Sequence, residues 1–374
     1  MTERIGLDPA ERAWEISTYQ ESDRAGALAL VRDEYGDIDL ADGDYYDWLR
    51  AACPPDVTQW LVREKGTGRV VSAATMVGVR AVWKGKGIKA LLGFNIVVAP
   101  EYRRQGIHST LIRQSREDIK AAGFCLTTIF PNPKSMPQLA RSETHHHVSE
   151  VALLVRPLDL RALADAQYDN RLVSWGGTLG WGLASRTLWR AQGPPGKRTP
   201  LHISEDEMLD ESYNHFWSQV RTKYDLMLVR DRAFLTWRFI DIPTREYQVL
   251  SARKGDEILG YIVLRETDVR GTVTGLIADF LVAPGEQGAL AGQVLLHAAL
   301  ERFKETGMPL AGGLLLPHTH EYALMRRAGF LKAPKPLAPQ PFHLFVRSHC
   351  DDPGLEAITR PEAWYISIAD HDAV

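Results

Sequence analysis

Cysteine is scarce in this chain of 374 residues: three occur, Cys53, Cys125 and Cys350, far apart and odd in number. No CxxC pair is present, so neither a disulfide framework nor a zinc site is suggested, and a reducing cytoplasm fits best. An excess of either charge is also lacking, since 44 Lys and Arg stand against 47 Asp and Glu. That balance gives no global reason to expect nucleic acid or an acidic membrane as a partner. Long apolar runs are missing. The most apolar stretch, Ala90 to Pro100, is too short to span a bilayer and rich in β-formers, and Met1–Gly6 has no apolar core of a secretion signal. What remains is a composition of 45% hydrophobic and 24% charged residues, that of a globular protein long enough for two domains.

The most informative stretch runs from Val97 to Ile112. A β-branched strand stops at Pro100, and the basic turn Glu101-Tyr102-Arg103-Arg104-Gln105-Gly106 opens directly into a helix. Backbone N–H groups and the positive end of a helix dipole then converge on one point, which favours a bound phosphate. The segment reads as a pyrophosphate cradle.

Strands and helices alternate along the chain, which predicts an α/β (α+β) mixed sheet flanked by helices. In the first half, strands are expected at 14–19, 58–64, 70–79, 90–99 and 125–129, and helices at 22–31, 44–52 and 105–122, the last ended by Gly123. The second half repeats the order. Asp44–Arg50 is echoed by Asp231–Phe239, Gly66-Thr67-Gly68 by Lys254-Gly255-Asp256, and Pro131-Asn132 by Pro317-His318. Phe94–Pro100 aligns with Ala278–Pro284 at a constant offset, Asn95 falling on Asp279 and Pro100 on Pro284. Four matches in one order indicate an internal duplication. Between the copies, Gly193–Arg198 reads as linker, and Trp175–Leu183 reads as a helix packing across the junction or an amphipathic helix on a membrane.

Val-x-Pro followed by Glu-Tyr-Arg-Arg-Gln-Gly-Ile and a helix resembles the acyl-CoA-binding signature of the GNAT N-acetyltransferases. The family pattern Gln/Arg-x-x-Gly-x-Gly/Ala is met by Arg103 and Gly106, with His108 at its last position. Phe130–Pro137 is similar to the family's asparagine-led turn beside the pantetheine arm. The whole chain resembles tandem-GNAT proteins associated with bacterial polysaccharide and natural-product biosynthesis, with Trp237-Arg238-Phe239 and the tail Trp364–Asp372 as further cues.

That resemblance implies two GNAT-like mixed-sheet domains. The first, 1–160, would bind CoA; 161–200 would be a linker with one candidate helix; 201–350 a degenerate second domain; and 351–374 a tail. It implies an N-acyltransferase moving an acyl group from acetyl-CoA, or another acyl-CoA, to the amine of a small molecule or amino sugar, with no metal. A non-catalytic CoA-binding scaffold and an aminoacyl-transferase of the peptidoglycan type are the alternatives; the latter calls for a basic RNA surface that the charge balance does not supply.

Cofactor contacts fall on the backbone of Gln105, Gly106, Ile107, His108 and Ser109, on Arg103 and Arg104, on Asn132 and Ser135, and on Ile96, Val97 and Val98. There a splayed strand would offer an N–H to the thioester carbonyl. Asn95 is the polar residue of that strand and cannot act as a base. Candidate bases are His145, His146, His147, Glu150, Asp279 and Asp372, with the three consecutive histidines read as a solvated loop. At the position where family members carry an acidic tyrosine stand Leu139 and Met325, leaving Tyr322, one turn away, or solvent. The second copy has Gln287 and Leu290 at the places of Arg103 and Gly106, and adds Glu286. It is expected to bind no CoA and to wall an acceptor cleft into which the tail reaches.

Overall fold

The computed structural model describes residues 12–51, 58–167, 200–269, 271–333, 340–352 and 354–371. Cys53, Trp175–Leu183, Gly193–Arg198 and Asp372 lie outside the described residues. The first copy runs β1 (Trp14–Thr18), α1 (Arg24–Tyr35), α2 (Gly43–Ala51), β2 (Thr58–Glu64), β3 (Val70–Trp83), β4 (Lys86–Val98), α3 (Ile107–Ala121), β5 (Phe124–Ile129), α4 (Met136–Leu139) and β6 (His146–Pro157), followed by α5 (Leu160–Gln167). The second runs β7 (His202–Glu205), α6 (Glu211–Val220), β8 (Leu226–Leu228), α7 (Arg232–Leu235) passing into a π-turn (Thr236–Ile240), β9 (Gln248–Lys254), β10 (Glu257–Val269), β11 (Thr272–Val282), α8 (Gly285–Glu305), β12 (Leu310–Leu315), α9 (His320–Arg327), β13 (Leu331–Lys332) and β14 (Phe342–Ser348). A short α10 (Leu355–Ile358) and an irregular tail to His371 complete it.

The β3–β4 hairpin is longer than the sequence suggests. Lys84 and Gly85 both take positive φ, 49° and 76°, the two-residue turn that matches strand twist, so pairing runs unbroken from Trp83–Lys86. Of the alternating Lys and Gly there, Lys84 and Gly85 form the turn, while Lys86 and Gly87 already belong to β4. One register skip falls at Phe94, because Thr75 pairs with Asn95 and Met76 with Gly93. Its counterpart falls at Ala278, since Val263 pairs with Asp279 and Leu264 with Ile277. The duplication thus extends to a β-bulge, an irregularity that bends the strand at its C-terminal end.

All fourteen strands form one sheet, ordered β1-β2-β3-β4-β5-β14-β6-β12-β11-β10-β9-β7, with β13 on β6 and β8 on β3. At its centre the copies exchange strands. β14, from the end of the chain, pairs antiparallel with β5, and β6 of the first copy pairs antiparallel with β12. β8 adds Leu226–Leu228 to the end of β3 in the same way. One apolar core therefore spans both copies, while a smaller one lies under α1 and α3.

Equivalent helices meet across the junction. Trp48 and Trp237 stack at 4.9 Å and 9°, and the Asp42 and Asp231 carboxylates cap the amides of Tyr45 and Phe234 at 2.9 and 3.0 Å. Asp42, not Asp44, is therefore the partner of Asp231. Asp231 also accepts two hydrogen bonds from Arg80 of β3, at 2.7 and 2.9 Å. No helix of the described residues is long and apolar enough to cross a membrane.

Candidate active site

The cradle is built by backbone conformation. After β4, Pro100–Tyr102 makes one 3-10 turn; Arg104 then takes φ 63° and Gly106 φ 77° at the N-cap of α3. A Cβ on Gly106 would meet nothing within 4 Å, so the glycine is demanded by its left-handed backbone and not by crowding. The first intrahelical bond runs from Thr110 N–H to Gly106 O at 3.0 Å. The amides of Ile107, His108 and Ser109 hence have no acceptor within the helix. Gln105 steadies the loop by donating to Glu101 O at 3.1 Å.

Its two arginines differ. Arg103 donates from Nε to Val98 O at 3.0 Å and from Nη2 to the Glu34 carboxylate, so it fastens the loop to β4 and α1. Arg104 is exposed and forms no ion pair among the described residues. His108, the departure from the family pattern, turns its ring away: Gln138 Nε2 donates to its Nδ1 at 2.7 Å, tying α3 to α4. Burial holds its pKa below the usual value.

Beside the cradle, β4 and β5 part. Their parallel ladder ends at Gly93–Ile129, while β4 stays paired with β3 through Ser72–Val98. Ser72 Oγ donates to Val97 O at 2.8 Å, and Ala99 N–H donates to Val71 O at 2.9 Å. Polar groups alternate sides along a strand, so the backbone of Ile96 and Val98 faces the gap. Among the described residues, the sole hydrogen bond to that edge is the one from Arg103. Asn95 lies at the bulge, paired with Thr75.

In the second copy the same gap is filled by the protein itself. The β11–β12 ladder ends at Ile277–Gly313. Phe280 O, the counterpart of Ile96 O, accepts from the Tyr365 hydroxyl. Val282, the counterpart of Val98, donates its N–H to Glu321 at 3.2 Å and accepts from Lys223 Nζ at 2.7 Å. Trp364 and Tyr365 are wholly buried there. Asp279 has no exposed surface and accepts from Tyr261 and Ser367, each at 2.7 Å, and from Arg230 at 3.4 Å. Arg230 also grips Asp370 of the tail. Asp279 thus anchors the tail, and no side of it is open to an amine. Tyr322 sits on α9, which packs on α8 and β11, so it is not brought beside Ile96–Val98.

The tail then runs to the end of β5. The His371 ring lies 4.8 Å from Phe130 and 5.5 Å from Phe342, and Arg238 donates to the carbonyls of Ala369 and His371 at 3.4 and 3.1 Å. Burial, with Arg238 and Arg245 beside it, pushes the His371 pKa down to about 3. Next to Phe130, Asn132 Oδ1 accepts from the amides of Lys134 and Ser135, both at 3.0 Å, shaping the turn that opens α4.

The three histidines do not form a solvated loop. His145 is buried against Ser142, and His146 and His147 begin β6. His147 is exposed, 3.0 Å from His343 through Nε2 and Nδ1, and 5.1 Å from the Phe345 ring. Phe345 pairs with Ile129, so His147 stands two strands from the end of β5. Burial and then His343 keep its pKa low. Glu150 lies 4.0 Å from Lys332. Sequence reasoning missed Glu321, Lys223 and Tyr365 because their role shows only when the copies are compared in space. It also kept Cys125 and Cys350 apart, whereas Cys350 Sγ lies 3.7 Å from Cys125 O.

Two family models match the chain. One describes an acetyltransferase (GNAT) domain and covers residues 15–142; the other describes the acetyltransferase (GNAT) family and covers 207–330. No curated protein matches in sequence. Among solved structures, a GCN5-related N-acetyltransferase from Anabaena variabilis aligns over 90% of this chain and 73% of its own, with 11% identity and a TM-score of 0.59. Saccharomyces cerevisiae N-myristoyltransferase with bound myristoyl-CoA aligns over 91% and 80%, with 12% identity and a TM-score of 0.58. A tandem GNAT protein from the clavulanic acid biosynthesis pathway aligns over 90% and 99%, with 17% identity and a TM-score of 0.54. At these identities the likeness is one of fold.

Proposed function

The chain belongs to the GNAT family of acyl-CoA-dependent N-acyltransferases and carries two such domains in tandem, and we propose that only the first holds the acyl-CoA. In this reading acetyl-CoA, or another acyl-CoA, supplies a thioester whose acyl group passes to the amine of a small molecule or amino sugar. The observation that carries it is the backbone edge of Ile96–Val98, open beside the amides of α3. In the second domain the equivalent edge is taken by Tyr365, Glu321 and Lys223.

The amides of Gln105 to Ser109 and the Arg104 side chain receive the diphosphate. Arg103 keeps that loop in place. The edge of β4 pairs with the amides of the pantetheine arm as a neighbouring strand would, and Asn132 and Ser135 flank it from β5. A backbone N–H in Ile96–Val98 stabilises the oxyanion as the amine forms its C–N bond and the C–S bond breaks, and the departing thiolate takes its proton from solvent. The amine must itself lose a proton, because its pKa lies near 10. We assign its removal to His147, whose pKa is held low and which stands two strands from the end of β5, with Asn95 of β4 as the polar residue of the cofactor strand. Asp279 and Tyr322 serve the second domain.

The test is release of free thiol from acetyl-CoA with a panel of amines that includes amino sugars. Release with at least one amine is expected. Binding without release under any acceptor favours a scaffold, and no thermal stabilisation by acetyl-CoA overturns both readings.

A further inference from the structure

Arg347 is 5% exposed and forms no hydrogen bond or ion pair among the described residues. The guanidinium keeps slight solvent contact but gains no counter-charge, which a bound anion would supply. Its surroundings are of its own sign. Arg347 pairs in register with Thr127, so the two share a face of the sheet. His349, two residues on, bonds through Nε2 to the Thr127 hydroxyl at 2.8 Å. His145 reaches the same space from the threshold of β6. From α3, which covers this face, His108 and Arg116 stand two turns apart on one side of the helix.

The charged group acting on Arg347 is Arg116. Burial first, then Arg347, pushes the pKa of both His145 and His349 down to about 4, with further contributions from His108 and His146 on His145, and from His145 and Arg116 on His349. No carboxylate acts on any of these three groups. An adjoining cavity of about 400 Å³ is lined by Arg116, Lys120 and His349, with Glu117 and Asp351 on its walls.

We propose that Arg347, His349 and Arg116 form a subsite for a phosphate monoester, beside the cavity lined by Arg116 and His349. Eight residues of helix separate His108 from Arg116, about 12 Å. That is room for a second phosphate on the molecule whose diphosphate lies in the cradle. The planar fork of Arg347 meets two phosphate oxygens at once, and the neutral histidines donate one N–H each. The monoester belongs either to the 3′-phosphate of CoA, in which case the inference rests on the proposed function, or to a phosphorylated acceptor.

The experiment measures binding of acetyl-CoA and 3′-dephospho-acetyl-CoA to the full chain and to Arg347→Gln and Arg116→Gln, and the thermal shift with inorganic phosphate alone. Arg116 is exposed, so its variant keeps the test readable if Arg347→Gln fails to fold. If CoA is the source, the wild type binds acetyl-CoA about tenfold tighter than the dephospho form, and Arg116→Gln narrows the gap to about twofold. If the acceptor is the source, the two CoA forms bind alike, while phosphate raises the Tm of the wild type and not of the variant. Equal binding of both forms together with no phosphate shift overturns the subsite. Should acetyl-CoA not bind at all, the proposed function fails, while the phosphate arm still decides the subsite.

Discussion

Trp48 donates its indole N–H to the backbone carbonyl of Trp237 at 2.9 Å while the two rings stack face to face. The residues occupy matching places in the two copies, so each domain supplies half of the same contact. Trp48→Ala opens a cavity at the junction and is expected to remove about 3–5 kcal/mol of stability. Unfolding in denaturant, followed by fluorescence and circular dichroism, should remain a single coincident transition shifted to lower midpoint. Two separated transitions would show that the copies fold independently.

Gly106→Glu places a carboxylate at the N-terminus of α3 and forces a side chain into the left-handed region, so acetyl-CoA affinity should fall at least about tenfold. Leu290→Glu, at the position that the sequence offset sets against Gly106 but in the second turn of α8, which starts at Gly285, should leave affinity unchanged once folding is matched. Equal losses would move the cofactor to the second domain or to both.

Asp279→Asn takes a charge from a site where Arg230 is wholly buried. Removing one partner of such a pair is expected to destabilise by about 3–5 kcal/mol. Turnover per folded molecule should be unaffected. A variant of full stability whose kcat falls a hundredfold would instead make Asp279 the base.

Stability should decline as the medium is acidified below about pH 6.5. The folded chain holds His145 and His349 near 4 and His371 near 3, against an ordinary 6.5. Between those values the unfolded chain binds protons that the folded one refuses, so stability rises with pH across the window. Each group contributes up to about 1.4 kcal/mol per pH unit. A Tm–pH curve of wild type and His349→Gln checks this: the variant should show the shallower slope, and parallel curves would count against it.

Much of this was legible in the residues because it is local. Strand, proline, glycine and helix follow one another within Val97–Ile112, and the offset from Asn95 to Asp279 runs through to the bulge. The loss of Arg103 and Gly106 equivalents after Pro284 already marked the second copy as different. What was hidden depends on partners far apart in the chain. β14 sits beside β5 only because the copies exchange strands, and that exchange brings the charge of Arg347 to bear on His145. The histidine run looked solvated because the strand that covers one side of it begins at Phe342. Glu321 resembled any first-turn acid of a helix until its carboxylate was found on the Val282 amide.

The exchanged strands also order the making of the protein. As the chain leaves the ribosome, the edge of β5 is complete by Ile129, yet its neighbour β14 is the last strand of the described residues to be synthesised. The half that holds the cradle must therefore wait, with a strand edge exposed to stray pairing, until the chain has been made as far as Ser348. Its mate gains β6 as it emerges. The first copy is the last to be sealed, and a ribosome that stops before Phe342 releases a chain with the cradle's residues but without the strand that closes its sheet.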